Sequence, residues 1–438
     1  MKQRVNATLQ VSFINWGDIE QKYPLMFAAN EDFDLVFTSS WAKYNETANK
    51  NGFYELTPEL LQKYAPVTYE RQPKVAWEQA KINGKIYMVP NDNFEVVDYL
   101  SLIRGDLREK YNIPPVQTID DLGNYLKTVA KNEKGLNAYS AAESFALDSI
   151  ALYQANEWYE VTTGLLGLAY KMTDPSGTIF SVYDTPEMEA HLKRVKDWAD
   201  SGIWSRNAVV AQEDPLTVFQ SGKSAMMAHN LGTLSNAASQ VIKDHPEWKP
   251  EIIDVNPEAK RFLRDYLGNG MAIHATSKNP ERALMVIDLL RYDKEIHDLT
   301  NLGIEGKHWE AVGEDQFKSL PDSQNFLPGS ACPWGWNSLT ERQSADTPPI
   351  KEEILAKWKS GNIVEHELQM FFYDQNKMKT ELAAIENVLK TYYLPLQYGM
   401  VDPVKGLATL KQKLNEAGFE KVKEDLQRQL DEFRQANP

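Results

Sequence analysis

Hydrophobic and polar positions alternate along the chain between strand-like and helix-like patterns. Residues 7–14 (ATLQVSFI) and 34–40 (DLVFTSS) are predicted strands, and the second ends in a polar turn followed by Trp41. Residues 185–202 predict an amphipathic helix that ends at Gly202. Its apolar face comprises Met188, Leu192, Val195 and either Trp198 or Ala199. This alternation predicts an α/β fold with mainly parallel sheets.

An apolar run near the middle of the chain, within residues 219–233 (FQSGKSAMMAHNLGT), ends abruptly in a polar stretch. Small residues together with Met226 and Met227 predict a buried strand, because packing between helices favours short apolar side chains. The polar stretch offers hydrogen-bond donors and acceptors without a strong nucleophile, as expected where a neutral polar ligand binds. Its members are His229, Asn230 and Thr233, with Gly232 allowing close approach of the backbone.

The same stretch contains Gly222-Lys223-Ser224, which matches the end of the phosphate-binding motif G-x-x-x-x-G-K-[ST]. The earlier glycine that this motif requires is replaced by Thr217. A nucleotide-binding loop is therefore rejected.

Residues 82–103 predict a hairpin at Gly84, a strand that stops at Pro90 and a second strand that runs to Ile103. The polar residues Asn91, Asp92 and Asn93 lie between these two strands. A polar triplet between consecutive strands is typical of a crossing between two lobes, and polar residues at strand ends are candidates for ligand contact.

Helix boundaries are marked in three further places. Thr118 or Asp120 is expected to cap a helix, and Ser277 or Asn279 is expected to cap a long helix that starts at Pro280. The C-terminal sequence KQKLNEAGFEKVKEDLQRQLDEFRQ predicts two surface helices broken at Gly418.

Length and charge restrict the class of protein. A chain of 438 residues exceeds what one hydrophobic core usually supports, which predicts two large lobes. The net charge of −15 argues against nucleic acid or an anionic membrane surface as partner. Cys332 is the single cysteine, which excludes an intramolecular disulfide and a thiolate-rich metal site. No apolar run approaches the length of a membrane span, and Met1-Lys2-Gln3-Arg4 is not followed by a signal-peptide core.

Motifs for catalysis and metal binding are not found in the sequence. The histidines lack the H-E-x-x-H spacing, no G-x-S-x-G nucleophile motif occurs, and the acidic stretch NEDFD at residues 30–34 lacks the glycine and glutamate of an EF-hand. We expect no catalytic residue, no metal and no cofactor. A pair of carboxylates acting as in a glycosidase stays open, because the chain has 62 acidic residues.

Several segments resemble, in the same order, those of family 1 extracellular solute-binding proteins of bacterial ABC sugar importers. They are FDLVFTSSW, INGKIYMVP, SLIRGDLREKYNI, TPEMEAHLKRVKDWADSG, FQSGKSAMMAHN and AIHATSKNPERALMVIDLL. The tail segments LGIEGKHWE, MFFYDQNKMKTELAAIENV, YGMVDPVKG and KLNEAGFEKVKEDLQRQLDEF resemble the lipoprotein LplA-like subgroup. The resemblance covers nearly the whole chain.

This resemblance implies a two-lobed, periplasmic-binding-protein-like α/β fold with a ligand cleft between lobes that close by hinge motion. One lobe is expected to combine residues 1–98 with 268–325, and the other residues 99–267 with 326–438. The crossings are expected near Val97, Leu267 and Leu327. Relatives carry a signal peptide with a lipid-modified cysteine, then a first strand and helix, before the segment that corresponds to ATLQVSFI. These parts are absent from this chain, so the first lobe is expected to lack them.

Many relatives also place an aromatic residue just after the strand that corresponds to AMM, as a platform for sugar stacking. This chain has Leu231, Gly232 and Thr233 there, so any stacking ring must come from elsewhere. ACPWGWN, residues 331–337, is the best replacement, because an indole and an amide could converge there on one sugar. Each candidate also has a purely structural explanation, since tryptophans often anchor loops and polar turns are common. The candidate ligand contacts are Ser39, Ser40, Trp41, Asn91, Asp92, Asn93, Glu157, Trp158, His229, Asn230, Asn269, Trp334, Trp336 and Asn337.

The sequence and the resemblance together predict a non-catalytic carrier. It would capture an oligosaccharide outside the cell by lobe closure and deliver it to the membrane permease subunits of an ABC importer. It would act as a monomer attached to the membrane only by an N-terminal lipid anchor. The alternatives are a carbohydrate-active hydrolase or lyase on a two-lobed scaffold, and a scaffold that has lost ligand binding.

Overall fold

The computed structural model places most of the chain in two compact units. It describes residues 1–14, 18–92, 96, 98–140, 144–161, 166–174, 176–205, 208, 214–263, 265–326, 333–336, 341–347, 349–364, 371 and 373–436. Unit 1 is drawn from residues 1–95 and 263–346, and unit 2 from residues 96–262, 347–366 and 371–438. Residues 326–346 thus group with unit 1, whereas the resemblance placed them with the C-terminal lobe. The boundaries of the two expected lobes stay a prediction.

Each unit is built around a three-stranded sheet. The strands of these two sheets are, in chain order, β1 (Leu35–Thr38), β2 (Met88–Pro90), β3 (Tyr99–Arg104), β4 (Met226–Asn230), β5 (Pro250–Ile253) and β6 (Gly270–Ile273). Unit 1 has the strand order β1-β6-β2, and unit 2 has the order β5-β3-β4. The strands expected within residues 34–40, 82–103 and 219–233 are confirmed.

Every pair of neighbours in these two sheets is antiparallel. The expectation of mainly parallel sheets is therefore wrong for these strands. The reason lies in the connections, because neighbouring strands do not follow one another in simple strand-helix-strand units. In unit 1, β6 inserts between β1 and β2 only after the chain has passed through β3, β4 and β5, and it runs against both neighbours.

Unit 1 packs helices around its sheet. The helix that begins at Pro280 buries Leu284, Ile287 and Leu290 in the core of the unit. Its N-cap position is Asn279, whose side chain makes no capping bond, while Ser277 Oγ accepts from Asn279 N at 3.1 Å. The helices of unit 1 are Lys2–Val5, Ile19–Ala28, Tyr44–Asn49, Pro58–Tyr64, Pro66–Arg71, Lys74–Gln79, Pro280–Tyr292 and Lys294–Leu302.

The strand expected at residues 7–14 is wrong, since the backbone there is irregular. Leu9, Val11 and Phe13 are 39%, 56% and 55% exposed. Alternation of apolar and polar residues satisfies a strand only where another strand accepts its backbone hydrogen bonds, and no strand of the described residues pairs with this segment.

Unit 2 is rich in helices with clear capping signals. Thr118 forms a reciprocal capping box with Asp121, and Thr185 caps the predicted amphipathic helix. That helix buries the expected apolar stripe, and the tail helices separate at Gly418, whose φ is +89°. The helices of unit 2 are Gly105–Lys110, Ile119–Asn132, Ser144–Asp148, Pro186–Asp200, Pro215–Gln220, Leu231–Asp244, Ile350–Lys357, Lys379–Val388, Leu394–Gln397, Pro403–Glu416 and Phe419–Ala436.

Short strands complete the two units. The hairpin predicted at Gly84 is confirmed and pairs Lys81–Ile82 with Lys85–Ile86. A second small sheet of unit 1 contains Trp309–Val312, Gln316–Ser319 and Gln343–Ser344. Unit 2 contains the sheet Trp158–Glu160, Leu168–Lys171 and Phe180–Ser181, and the parallel pair Arg261–Phe262 and Ile363–Val364.

Candidate ligand-binding site

One end of the unit 1 sheet brings polar segments together. Because β6 runs antiparallel to both neighbours, its first residue, Gly270, lies opposite Thr38 at the end of β1 and Pro90 at the end of β2. The residues that follow β1 and β2 therefore lie beside the residues that precede β6. We call residues 39–41, 91–92 and 267–269 the unit 1 edge.

Backbone hydrogen bonds fix the unit 1 edge. Ser40 N donates to Leu267 O at 2.8 Å, and Asn91 N donates to Asn269 O at 3.0 Å. The short turn before β6 is therefore held from both sides. Ser40, Asn91 and Asn269, which the sequence predicted independently, are brought together in this way.

Trp41 presents a large apolar surface at the unit 1 edge. Its indole Nε1 donates to Gly268 O at 2.7 Å, and its ring lies 5.7 Å from the Phe37 ring at an angle of 50°. The side chain is nevertheless 46% exposed. Because the N–H group is held by a backbone carbonyl, the exposed group is the ring itself, which is the part that stacks on the apolar face of a sugar.

Ser39 lies at the same edge in a different environment. Its side chain is 0% exposed, and its hydroxyl has no hydrogen-bond partner among the described residues. A buried hydroxyl without a partner costs about 1–3 kcal/mol. Its burial does not favour the direct exposed contact expected from the sequence.

Asp92 is held by a buried network. Tyr292 donates its hydroxyl to Asp92 Oδ2 at 2.6 Å, and Arg291 Nη2 lies 3.7 Å from Asp92 Oδ1. Arg291, which is 0% exposed, also donates to Pro90 O at 2.8 Å and to Gln72 Oε1 at 2.9 Å. Burial raises the pKa of the Tyr292 hydroxyl well above its ordinary value, and the hydrogen bond to Asp92 acts in the same direction. Tyr292 is therefore a permanent donor to Asp92.

Asn91 belongs to the same network. Gln72 Nε2 donates to Asn91 O at 2.7 Å, while Gln72 Oε1 accepts from Arg291. Asn91 and Asp92 are 3% and 4% exposed. The network positions the chain after β2. It could not be predicted from the sequence, because Gln72 and Arg291 are far from residue 91 in the chain.

Unit 2 has a corresponding sheet end. Tyr99, the first residue of β3, lies opposite Asn230, the last residue of β4, and Ser101 lies opposite Ile253, the last residue of β5. Gln154 Nε2 donates to Tyr99 O at 3.1 Å from the neighbouring helical segment. We call residues 98–99, 229–230 and 254–256 the unit 2 edge.

His229 is half-buried at this edge. Its Nδ1 accepts from Asn230 N at 2.9 Å, and its ring lies 6.0 Å from the Tyr99 ring. Burial lowers the pKa of His229, although the negative charge of Asp214 opposes this effect. The ring is therefore neutral near pH 7, and since Nδ1 accepts, the proton is assigned to Nε2 as a donor.

Asn230 begins the helix Leu231–Asp244. Its Oδ1 accepts from Thr233 N at 2.9 Å, which is a helix cap. The polar stretch predicted after the apolar run is therefore the first turn of a helix. With Oδ1 engaged in the cap, the NH₂ group is the donor that the Asn230 side chain can offer to a ligand.

Glu157 and Trp158 have structural roles in unit 2. Glu157 has a left-handed backbone, with φ of 54°, and its Oε1 accepts from Lys260 N at 2.9 Å. Trp158 is 4% exposed and packs edge-on against Tyr153 and Phe180, with ring centroids 6.5 and 5.2 Å away. The burial of Trp158 does not support it as a sugar contact.

Trp336 belongs to the core of unit 1. It is 5% exposed, and its Nε1 donates to Asn301 Oδ1 at 3.2 Å. Asn301 Nδ2 also lies 2.8 Å from His297 Nε2. An indole buried in this way anchors its loop, and its stacking role is not supported. Asn93, Asn337 and the side chain of Trp334 lie outside the described residues.

A buried charge network that the sequence did not indicate supports the unit 2 edge. Arg261, which is 1% exposed, has Nε 2.6 Å from Asp98 Oδ2 and Nη2 2.9 Å from Asp254 Oδ2. Its guanidinium lies 4.5 Å from the centre of the Trp358 ring, and Trp358 Nε1 donates to Asp254 at 3.2 Å. Both carboxylates therefore already have a cationic partner.

Two properties of the described residues bear on other kinds of function. They contain no group of three or more His, Cys, Asp or Glu side chains arranged to hold a metal ion. None of their helices is long and apolar enough to cross a membrane.

Comparison with protein families identifies the class. Residues 1–292 match the family described as bacterial extracellular solute-binding protein, and this chain belongs to that family. Residues 367–435 match a domain of unknown function, DUF3502. The narrower likeness to the LplA-like subgroup stays a prediction.

The chain is similar to several characterised proteins. A carbohydrate ABC transporter substrate-binding protein of Streptococcus pneumoniae serotype 4 is 24% identical over 447 residues, which cover 99% of this chain and 86% of the relative. The N-glycan transport solute binding protein (NgtS) of Streptococcus pneumoniae has the same fold, with a TM-score of 0.77, 20% identity and coverage of 99% and 93% of the two chains. The alginate-binding protein AlgQ2 matches with a TM-score of 0.65 and 18% identity, and the match covers 94% of this chain and 89% of AlgQ2. These names describe binding and transport rather than catalysis, in agreement with the non-enzymatic function expected from the sequence.

Proposed function

We propose that this chain captures an oligosaccharide outside the cell and delivers it to the permease of an ABC importer. Family membership supports the capture of a solute. The curated relative is named for carbohydrate transport, and NgtS has been solved in complex with Man1GlcNAc and with Man5GlcNAc. The identity of the sugar is therefore sought first among glycans of mannose and N-acetylglucosamine.

The observation that carries this proposal is the exposed ring of Trp41 at the unit 1 edge. A single exposed indole is common on protein surfaces, but Trp41 lies just after the end of β1 and beside polar residues, where ligands commonly bind in α/β folds. Sugars have an apolar face that covers such a ring and hydroxyls around its rim that need hydrogen bonds. Of the polar residues beside Trp41, we propose Ser40 and Asn269 as ligand contacts. Asn91, which is 3% exposed, belongs to the network that positions the chain after β2.

His229 and Asn230 are the proposed contacts in unit 2. Both offer a neutral N–H donor, from Nε2 and from the amide group. The charged side chains of the described edge residues are already paired, Asp92 with Arg291 and both Asp98 and Asp254 with Arg261. A neutral ligand fits this arrangement better than an anionic one, because these three carboxylates share two guanidinium groups and the described edge residues include no Lys or Arg.

Transport follows from a shift between conformations. A ligand that contacts both lobes only when they are closed stabilises the closed state, and the permease would recognise that state. We further propose that the protein is a monomer held at the cell surface by an N-terminal lipid anchor. In this arrangement the permease subunits are its only protein partners.

A ligand screen tests the function. The protein is incubated with Man5GlcNAc, Man1GlcNAc, plant cell wall oligosaccharides and alginate oligosaccharides, and thermal stability and binding heat are measured. We expect a neutral glycan to raise the melting temperature and to be recovered unchanged. Shortened products would instead identify a hydrolase or lyase, and the absence of a shift with every glycan would indicate a scaffold without ligand binding.

The contribution of Trp41 is tested by substitution. Trp41→Ala should weaken binding of the best glycan at least about tenfold, equivalent to about 1.4 kcal/mol of lost stacking. Trp248→Ala is the matched control, because Trp248 packs on Arg104 at the opposite end of β3. Equal affinities of Trp41→Ala and the wild type would reject Trp41 as the stacking residue.

A further inference from the structure

The C-terminal part of the chain makes a buried polar junction with the middle of unit 2. Asp148 is 2% exposed and accepts hydrogen bonds from three side chains. His191 Nε2 lies 2.8 Å from Asp148 Oδ1, and Tyr393 donates its hydroxyl to Asp148 Oδ2 at 2.7 Å. Gln397 Nε2 also donates to Asp148 Oδ2. Tyr393 and Gln397 belong to residues 371–436, which we call the tail and which lie largely within the domain of unknown function.

Asp148 is the last residue of the helix Ser144–Asp148 and lies within a continuous helical run that leads to the unit 2 edge. The run continues through Ser149–Tyr153 and Gln154–Asn156, and we call residues 148–157 the ledge. Gln154 donates to Tyr99 O at the start of β3. The ledge is thus fixed to the tail at one end and to the candidate site at the other.

Two further bonds join the ledge to the loop after β5. Asn256 Nδ2 donates to Ile150 O at 2.7 Å, and Lys260 N donates to Glu157 Oε1 at 2.9 Å. Residues 254–256 are part of the unit 2 edge. A displacement of the ledge would therefore move both the first residue of β3 and the loop after β5.

The remaining tail contacts rigidify the surroundings of the ledge. Trp204 Nε1 donates to Tyr398 O at 3.1 Å, and Ile179 N donates to Gln427 Oε1 at 2.7 Å. The Tyr393 ring packs edge-on against Tyr183 at 5.2 Å. The tail therefore binds a broad area of unit 2, and Asp148 is the place where it contacts the ledge by buried hydrogen bonds.

We propose that the domain of unknown function positions the ledge through Tyr393, Gln397 and Asp148, and thereby maintains the ligand affinity of the unit 2 edge. These are positioning residues, because they act through the ledge and are buried away from any ligand. The affinity part of this inference rests on the proposed function. The claim that the tail positions the ledge does not depend on any ligand.

The tail offers a matched control. Tyr373 donates its hydroxyl to Asp425 Oδ2 at 3.1 Å, and Asp425 is 8% exposed and also accepts from Arg428 and Gln429. Tyr373→Phe and Tyr393→Phe therefore each remove one hydroxyl donor from a buried carboxylate. Only Asp148, the partner of Tyr393, belongs to the ledge.

Hydrogen–deuterium exchange of the unliganded full chain is the first measurement. Tyr393→Phe should increase amide exchange in residues 149–157 about fivefold, the factor expected for one lost hydrogen bond, while Tyr373→Phe leaves these amides unchanged. Unchanged exchange in Tyr393→Phe, or an equal increase in both variants, would overturn the inference. This measurement needs no ligand, so its failure is distinct from failure of the proposed function.

Calorimetric titration with Man5GlcNAc, or with the best glycan of the screen, is the second measurement. Tyr393→Phe should weaken binding about fivefold and Tyr373→Phe less than twofold. Equal affinity of the two variants would overturn the link between tail and ligand. Asp148→Asn should weaken binding more than Tyr393→Phe does, because it changes the shared acceptor. If the Asp148→Asn protein does not fold, Tyr393→Phe alone decides the outcome.

Discussion

The two sheet edges are built alike but offer different chemistry. Each lies where the ends of two strands meet the start of an antiparallel neighbour. The unit 1 edge presents the exposed ring of Trp41, whereas the unit 2 edge presents the neutral donors of His229 and Asn230. Under the proposed function, stacking is therefore assigned to Trp41, and hydrogen bonding is assigned to His229 and Asn230.

The edges are also held in different ways. Arg291 is completely buried and bonds to the chain on both sides of β2, so the unit 1 edge depends on a buried cation. At the unit 2 edge, Asn230 is held by a local helix cap, and the ledge adds a support that reaches back to the tail. Loss of the buried cation Arg291 should therefore lower the free energy of unfolding more than loss of the helix cap at Asn230.

The largest expected effect is that of Arg291→Met. Removing the cation leaves Asp92 and Pro90 O without that partner in a buried site, and the free energy of unfolding should fall by about 3–5 kcal/mol. Urea unfolding followed by fluorescence measures the change. Arg282→Met on the same helix is the control, because Arg282 is exposed and donates to the backbone of Val5 rather than to a buried carboxylate, so its loss should cost less than about 1 kcal/mol. A loss below about 1 kcal/mol for Arg291→Met would contradict the importance of this network.

Substitutions of Asn230 separate its cap from its ligand contact. Asn230→Ala should lose about 1 kcal/mol of stability with the cap, and Thr185→Ala should lose a similar amount at the cap of Pro186–Asp200. Asn230→Asp keeps the acceptor for Thr233 N but removes the NH₂ donor, so it should keep stability and weaken glycan binding about fivefold. Calorimetry and thermal unfolding check both quantities. Full affinity in Asn230→Asp would show that the residue is only a cap.

The smallest expected effect concerns the pH dependence of stability. Burial lowers the pKa of His229 below its ordinary value of 6.5, so the unfolded chain binds more protons than the folded chain in this range. Stability should fall as the pH decreases from above 6.5 toward the folded pKa. This slope is proportional to the number of protons taken up on unfolding, and His229→Gln should reduce that number by less than one. The slope that remains should come from His274 and His297 of unit 1, whose pKa values are also lowered by burial. An unchanged slope would contradict a neutral, half-buried His229.

Local features of the fold could be predicted from the sequence because their causes are local. The cap at Thr118 and the apolar stripe of the helix Pro186–Asp200 both involve residues that are close in sequence, and Gly418 separates two helices at a left-handed residue. The direction of strand pairing could not be predicted, since β6 pairs with strands far away in the chain. The same reason explains the error at residues 7–14, where alternation did not reveal whether a partner strand exists.

The candidate site was predicted only in part. Trp41 and Asn91 were selected from the sequence because they lie at or just after strand ends, where ligands commonly bind in α/β folds, and the ligand contact of Trp41 stays a prediction. Trp336 is buried in the core of unit 1, where its Nε1 donates to Asn301, and nothing near it in the sequence indicates that contact. Arg291 and Asp148 were missed because their partners are distant in the chain, although both are central to the buried networks described above.

A crystal structure of the protein with the best-binding glycan tests the central claim most directly. The account predicts a sugar ring lying flat on the exposed face of Trp41, with sugar hydroxyls bonded to the side chains of the unit 1 edge. A bound glycan that leaves the face of Trp41 in solvent would contradict it.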